Sequence, residues 1–178
     1  SLLAVLIANT QRLNKDVSLM GMSSSVYRLT HELARTRTEQ EVYTVMLAAL
    51  QDFNPTHAFI FRMYPAASSV YTVAEMRGDD LNVYEKPRAD TDMYDLVDLV
   101  KACTQLRSPL LIGDLNAAYE SGEPDLDVIL AHLSEVLDVL GVGIVPLHIE
   151  ETFLGVLLVI YDAPHQFSAL QMQLYQTL

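Results

Sequence analysis

The sequence predicts an α+β fold in which a central antiparallel sheet of five to six strands is flanked by helices on both faces. Three observations support this prediction. Short apolar segments typical of strands are interleaved with longer segments of helical period. Two strand-like segments, Val142–Ile149 and Phe153–Tyr161, are separated by so few residues that they must pair antiparallel. Helical segments near both ends of the chain need a sheet face against which to bury their apolar stripes.

The chain opens with residues 2–35, which contain no proline and are predicted to be helical. Two rows of residues in this segment recur at sevenfold spacing: Leu6, Leu13, Met20 and Tyr27, and Leu3, Thr10, Val17 and Ser24. The seam that they form is weak, because Thr10 and Ser24 are poor core residues. Such rows are typical of a two-stranded coiled coil, but also of an amphipathic helix packed on its own domain, and both interpretations stay open. Gly21 and the serines that follow predict a bend, so we expect an N-terminal helix over 1–25 and one domain over 26–178.

Thr38 and Glu41 form a capping box, which predicts that the next helix begins there and ends at Asn54-Pro55. Its apolar stripe comprises Val42, Val45, Met46, Ala49, Leu50 and Phe53. Aromatic and β-branched residues then predict strands over 57–64 and 70–76, whereas the polar residues 81–90 are expected to be irregular.

The remaining segments alternate between helix and strand. The pattern predicts a helix over 92–106, a strand over 110–115, a loop over 116–125 and a helix over 126–140. After the apolar hairpin, Ser168 is expected to cap a final helix. Pro146 cannot donate to a strand ladder, so its strand is predicted to be an edge or to carry a bulge there. Gly155 is expected to lie where a side chain would clash with a covering element.

Bulk composition narrows the class of partner. Hydrophobic residues make up 51% of the chain, and 11 Lys and Arg against 23 Asp and Glu give a net charge of −12. This negative charge repels phosphate groups, so it disfavours binding to nucleic acid and to an anionic membrane. The one cysteine, Cys103, cannot form an internal disulfide, and we expect a cytoplasmic protein. The chain begins with Ser rather than Met, so we expect a piece of a longer protein.

Three stretches of this sequence resemble the GAF domain family. The first is Ser108–Leu115, a short strand that ends with an acidic residue. The second is Gly143–Leu147, in which a Pro-Leu pair leads into the hairpin. The third is Phe153–Leu157, followed by a loop, Phe167-Ser168 and the closing helix. The resemblance covers roughly residues 26–178.

The resemblance implies a sheet with strand order 2-1-5-4-3, or a six-stranded variant of it, with terminal helices on one face and a small-molecule pocket on the other. It implies a regulatory sensor domain in a larger signalling protein, with an unidentified small-molecule ligand and a homodimer formed through the N-terminal and C-terminal helices. The alternative is a ligand-free interaction module in which these helices only dimerise. An enzyme is disfavoured because the sequence shows no catalytic constellation.

The predicted pocket should be mostly apolar with a few polar groups. Its candidate ligand-binding residues are Phe59, Phe61, Met93, Tyr94, Leu111, Asp114, Leu130 and His148. Each has an alternative role in the core, and Asp114 has one as a cap. No cofactor or metal is expected. Cys103 lies outside the segment where related tetrapyrrole-binding members attach their chromophore, and it is interpreted as an inert buried thiol, whereas haem ligation by His132 or His148 has no further support.

Overall fold

The computed structural model describes residues 24–64, 69–89, 94–121, 127–136 and 140–178. The predicted N-terminal helix over 1–25 lies almost wholly outside the described residues. No helix among the described residues is both long and apolar enough to cross a lipid bilayer.

Six strands form one antiparallel sheet, and helices cover both of its faces. The strands are β1 (His57–Tyr64), β2 (Ser69–Arg77), β3 (Asp80–Ala89), β4 (Leu110–Ile112), β5 (Gly141–Ile149) and β6 (Thr152–Tyr161). Their order is β3-β2-β1-β6-β5-β4. This confirms the predicted fold class, and the order is the predicted one with β3 added beside β2.

The described helices are α1 (Ser24–Leu33), α2 (Glu39–Ala48), α3 (Tyr94–Ala102), α4 (Leu115–Ser121), α5 (Asp127–Val136) and α6 (Ala169–Thr177). Two of them begin where the sequence predicts. The Thr38 hydroxyl accepts a hydrogen bond from the Glu41 amide at 3.2 Å, and the Ser168 hydroxyl accepts one from the Gln171 amide at 3.2 Å. Each is a complete capping box, because the side chain of Glu41 or Gln171 in turn accepts from the cap amide.

Residues 81–90 are a correction to the sequence prediction, because most of this polar segment belongs to the edge strand β3. Its apolar residues Leu81 and Val83 are half-buried and pack against the cluster that includes α2. Pairing with β2 is interrupted by a bulge. Between the pairs Val83↔Ala74 and Arg88↔Thr72, residues 84–87 of β3 stand opposite only one residue of β2. An edge strand with this pattern lacks the alternation that sequence reasoning relies on.

Two further boundaries differ from the prediction. The strand predicted over 110–115 ends at Ile112, and the predicted loop over 116–125 begins with α4, a helix of seven residues. The reason is Asp114, whose Oδ1 accepts hydrogen bonds from the amides of Asn116 at 3.0 Å and Ala117 at 3.4 Å. A carboxylate at this position starts a helix and stops a strand.

The sheet separates two apolar clusters. On the terminal-helix face, α1, α2 and α6 pack on residues such as Ile60, Met76 and Leu157. On the central-helix face, α3, α4 and α5 pack on residues such as Phe61 and Leu158. Successive residues of a strand point to opposite faces, so the position of a residue in this alternation decides which of the two clusters it joins.

Pro146 has no amide hydrogen to donate, and its position in the sheet does not require a ladder hydrogen bond toward β4. The pairing of β5 with β4 stops at Ile144, so β5 is an edge strand at Pro146, and a bulge follows between Leu147 and His148. The prediction of an edge or a bulge is therefore confirmed on both counts.

The start of α6 is tied to the sheet by polar contacts of buried Gln171. Its Nε2 donates a hydrogen bond to the Tyr161 hydroxyl at 3.1 Å and lies 2.9 Å from Nε2 of His165. The His165 ring stacks on that of Tyr161 with 3.7 Å between centroids. The His165 amide donates to the carbonyl of Gly113 at 2.8 Å. The β4–α4 junction is thereby connected to the cap of the final helix.

Candidate functional site

Three aromatic rings of β1 line up along the central-helix face of the sheet. His57, Phe59 and Phe61 alternate on this strand, with 6.0 Å between the first two ring centroids and 5.7 Å between the second two. Phe61 is 2% exposed and belongs to the buried cluster, whereas Phe59 is half-buried. The predicted shared face of Phe59 and Phe61 is confirmed, and the ladder runs from a partly open position into the core.

A cleft opens beside this ladder. It has a volume of about 220 Å³ and is lined by His57, Phe59, Glu75, Met76 and Arg77. In the strand register, Phe59 is opposite Glu75 and His57 is opposite Arg77, so these four residues form a block on one face of two neighbouring strands. None of the ion pairs within the described residues involves Glu75 or Arg77. A carboxylate and a guanidinium are thus available beside an aromatic surface.

The buried part of this face is closely packed. Leu130 is 1% exposed, and its carbonyl accepts a hydrogen bond from the Tyr119 hydroxyl of α4. Cys103 is fully buried in the same cluster, and burial raises the pKa of its thiol to about 12. A thiol with such a pKa is neutral and unreactive at neutral pH, which agrees with its interpretation as an inert thiol.

We expect Cys103 to resist alkylation in the folded protein. Raising the pKa from 9.0 to about 12 lowers the thiolate fraction near pH 7 about a thousandfold, and burial blocks the reagent as well. The measurement is the rate of iodoacetamide labelling by mass spectrometry, with the urea-unfolded chain as the control. Comparable labelling rates in the folded and unfolded protein would contradict the burial of this side chain.

His148 lies at the hairpin end of the same face, away from the cleft. Its ring meets the ring of Phe153 edge-on, with 5.4 Å between centroids, and Phe153 packs against the central-helix cluster. The Nε2 atom is buried and has no hydrogen-bond partner among the described residues. Burial, and then the charge of Arg107, lower the pKa of His148, while a backbone hydrogen bond to Pro146 opposes the shift. The neutral ring therefore offers Nε2 as an acceptor.

Acid is expected to destabilise the fold through two histidines. Burial and then the charge of Arg77 lower the pKa of His57 from 6.5, as burial and Arg107 do for His148. The unfolded chain then takes up these protons first, so the stability present above pH 6.5 is lost as the pH falls through the folded-state values. As the pH is lowered below 6.5, the urea midpoint of unfolding should fall in the wild type. It should fall less in the double variant that carries both His57→Gln and His148→Gln. Equal slopes would contradict the lowered pKa values.

The other predicted site residues do not join these groups. Leu111 pairs with Gly143 and packs against the terminal-helix cluster, which is the face opposite to Phe59 and Phe61. Asp114 caps α4, the alternative considered for it from the sequence. Met93 lies outside the described residues, and for Tyr94 only the backbone at the start of α3 is described.

Sequence reasoning missed His57, Glu75 and Arg77 as possible site residues. The alternation of His57 with Phe59 and Phe61 was a usable signal, because residues two apart on a strand share a face. The partners on β2 were not readable, since register shifts between Ile60 and Phe61 and bulges decide which residues stand opposite each other.

Comparisons with known proteins identify the fold. No protein-family model matches the chain, and no curated protein matches its sequence. Among solved structures, the GAF domain of an Acinetobacter phosphoenolpyruvate-protein phosphotransferase is 16% identical with a TM-score of 0.56, and the match covers 86% of this chain and 87% of that one. The corresponding domain from Coxiella burnetii is 12% identical with a TM-score of 0.55, covering 86% and 84%.

A third similar structure is the chromophore-binding domain of a Stigmatella aurantiaca bacteriophytochrome. It is 15% identical with a TM-score of 0.60, and the match covers 85% of this chain but 55% of that one, so this chain spans about half its length. At these identities the likeness concerns the fold, which is that of GAF domains.

Proposed function

We propose that this GAF-fold domain is a cytoplasmic regulatory sensor that binds a small molecule on the central-helix face of its sheet and controls an attached output domain. The observation that carries the proposal is the cleft of about 220 Å³ beside the His57–Phe59–Phe61 ladder. Ligand sites are concave and largely apolar, with few polar groups, and this cleft combines an aromatic wall with Glu75 and Arg77.

The ladder provides a route by which a bound molecule would act on the core. A ligand that contacts Phe59 would displace its ring, which is stacked against the ring of Phe61. Phe61 belongs to the cluster that also contains Ile112 and Leu115, the residues on either side of Gly113-Asp114. Interfaces of this kind respond to small displacements by moving whole packed elements.

In this proposal, the structural change caused by ligand binding is transmitted to the output domain through α6. The carbonyl of Gly113 accepts the hydrogen bond from the His165 amide, and His165 contacts the capping residue Gln171. A shift at the β4–α4 junction therefore changes the support of the final helix. Ligand control requires a difference in affinity between two arrangements of this connection.

The test is a thermal-shift screen of a broad library of small metabolites on this chain. A ligand at 100 times its dissociation constant stabilises the folded state by about 2.7 kcal/mol. For any compound that stabilises the wild type, Glu75→Gln or Arg77→Gln should weaken binding. Lys101→Gln, an exposed charge on α3, is the matched control and should leave binding unchanged. The proposal would be contradicted if no compound stabilised the protein, or if the stabilising compounds bound equally well to both cleft variants.

The second candidate is the ligand-free interaction module. The observation that favours it is the close packing of the central-helix cluster, where residues such as Leu130 and Leu133 are at most 1% exposed. In this case the domain is a rigid spacer between its terminal helices. The same screen separates the candidates, because a rigid spacer has no ligand to stabilise it.

A further inference from the structure

The cleft beside Phe59 lies where the central-helix cluster ends. Phe61 belongs to that buried cluster, whereas Phe59 is only half-buried against it. On the neighbouring strand, Glu75 is half-buried and Arg77 is exposed. The cleft therefore combines an aromatic wall with one carboxylate and one guanidinium that solvent reaches, and these groups together define the chemistry of a ligand.

The two charged groups of the cleft stand side by side on β2. Glu75 and Arg77 are two residues apart, so their side chains leave the same face of the strand, with Cα atoms about 7 Å apart. The ion pairs found within the described residues use neither group, although Asp80 of β3 stands opposite Arg77. Both side chains are long, so the carboxylate and the guanidinium can reach two charges that lie close together in one ligand.

His57 leaves these two charges balanced. Burial, and then the charge of Arg77, lower the pKa of His57 from 6.5 against the smaller opposing effects of Asp162 and Glu75, so its ring is neutral near pH 7. An anionic ligand would be repelled by Glu75 and by the net charge of −12, and a cationic ligand would be repelled by Arg77. The cleft therefore favours a ligand that carries both signs of charge and no net charge.

The aromatic wall selects the uncharged part of the ligand. The rings of His57 and Phe59 are nearly parallel, at 13° and 6.0 Å between centroids. Another ring does not fit between them, because van der Waals contact on both of its faces needs about 7 Å. A ligand ring would instead pack on the outer side of this row, where offset or edge-on contacts between aromatic rings are favourable.

The size of the cleft and the strand register limit the distance between the ring and the charges of the ligand. Phe59 stands opposite Glu75 and His57 opposite Arg77, across a strand spacing of about 4.8 Å. The volume is about 220 Å³, below the roughly 300–1,000 Å³ of sites for drug-sized ligands. An aromatic α-amino acid meets both limits, because its ammonium and carboxylate groups share one carbon atom that a single methylene joins to the ring.

We propose that this cleft binds a free aromatic α-amino acid, with the ring against Phe59, the ammonium group on Glu75 and the carboxylate on Arg77. A guanidinium can hold a carboxylate through two parallel hydrogen bonds, which fixes the orientation of the ligand. This inference rests on the proposed function, since it names the ligand class of the same cleft. A domain with this ligand reports the supply of aromatic amino acids to its output domain.

Four related probes test which groups of the ligand matter. Isothermal titration calorimetry on the wild-type chain compares L-phenylalanine with 3-phenylpropionate, which lacks the ammonium group, 2-phenylethylamine, which lacks the carboxylate, and L-alanine, which lacks the ring. Each deletion should raise the dissociation constant about tenfold or more, because one group of the cleft loses its contact. L-tyrosine and L-tryptophan extend the comparison to other rings. The proposal is wrong if none of these aromatic amino acids binds, or if a probe that lacks one charge binds as tightly as L-phenylalanine.

Two cleft variants test where each charge of the ligand binds. In Glu75→Gln, L-phenylalanine should bind no more tightly than 3-phenylpropionate, and in Arg77→Gln no more tightly than 2-phenylethylamine. The reason is that the matching group of the ligand has lost its partner, which a double-mutant cycle detects. Glu151→Gln, an exposed acid in the turn between β5 and β6, is the matched control and should keep the wild-type preferences. Unchanged preferences in both cleft variants would overturn the proposal.

The thermal-shift screen of metabolites separates this inference from the proposed function. If compounds of another class stabilise the protein and bind more weakly to Glu75→Gln or Arg77→Gln, the cleft is a ligand site but the class of ligand inferred here is wrong. If no compound stabilises the protein, and calorimetry detects no binding of the aromatic amino acids, both proposals fail.

Discussion

Replacing Gly155 by alanine should lower the free energy of unfolding by about 3 kcal/mol, the upper end of the usual cost of overpacking. Gly155 of β6 pairs with Arg62 of β1. A Cβ at Gly155 would overlap the carbonyl oxygen of Phe61 and lie 3.0 Å from the Cα of Arg62. These atoms are backbone of the neighbouring strand rather than the covering element expected from the sequence, so they cannot move aside without breaking the central pairing. Urea denaturation measures the change.

Gly78→Ala is the matched control for this substitution. Gly78 lies in the turn between β2 and β3 with φ at +56°, and a Cβ there would meet nothing within 4 Å. Only the left-handed backbone is unfavourable for alanine, at a cost of about 1 kcal/mol. If both variants lost the same stability, the close strand approach at Gly155 would not be the cause.

Gln171→Ala should cost about 2–3 kcal/mol and loosen α6 selectively. Gln171 is 3% exposed, accepts from the Ser168 amide at 2.9 Å and donates to the Tyr161 hydroxyl at 3.1 Å. Its removal leaves the buried Tyr161 hydroxyl with only the hydroxyl of Tyr175, 3.5 Å away, and takes the side-chain acceptor from the Ser168 amide. A buried polar group that loses its closest partner is expensive. Hydrogen exchange should accelerate in α6 before it does so in β5 and β6, and the urea midpoint should fall.

Gln176→Ala provides the comparison within the same helix. Gln176 is exposed, so truncation removes solvated atoms only and should change stability by less than about 0.5 kcal/mol. Uniform acceleration of exchange across the whole sheet in Gln171→Ala would show that the network supports the fold as a whole and does not specifically anchor α6.

The sequence was informative wherever one physical signal was strong and local. The capping box at Thr38, the helix cap at Ser168 and the apolar hairpin of β5 and β6 were all predicted near their observed bounds. These features depend on residues a few positions apart, so no knowledge of tertiary packing was needed. The strand order then followed from the family resemblance and not from periodicity.

The candidate site was less predictable because tertiary packing decides which sheet face a strand residue points to and which residue of the next strand lies opposite it. Leu111 and Ile112 are both apolar neighbours in β4, yet only Ile112 faces the central-helix cluster. A shift of one residue in the predicted register moves a side chain to the opposite face. Likewise, nothing local to Glu75 shows that Phe59 stands opposite it.

The two outermost strands of the sheet have a consequence for behaviour at high concentration. β3 bulges over residues 84–87, which include a proline without an amide hydrogen, and β4 has three residues. Neither border offers a long regular row of backbone groups on which a foreign strand could grow. The most apolar strands, β5 and β6, lie in the interior between them, so fibre formation by edge-to-edge stacking would first require a border strand to detach.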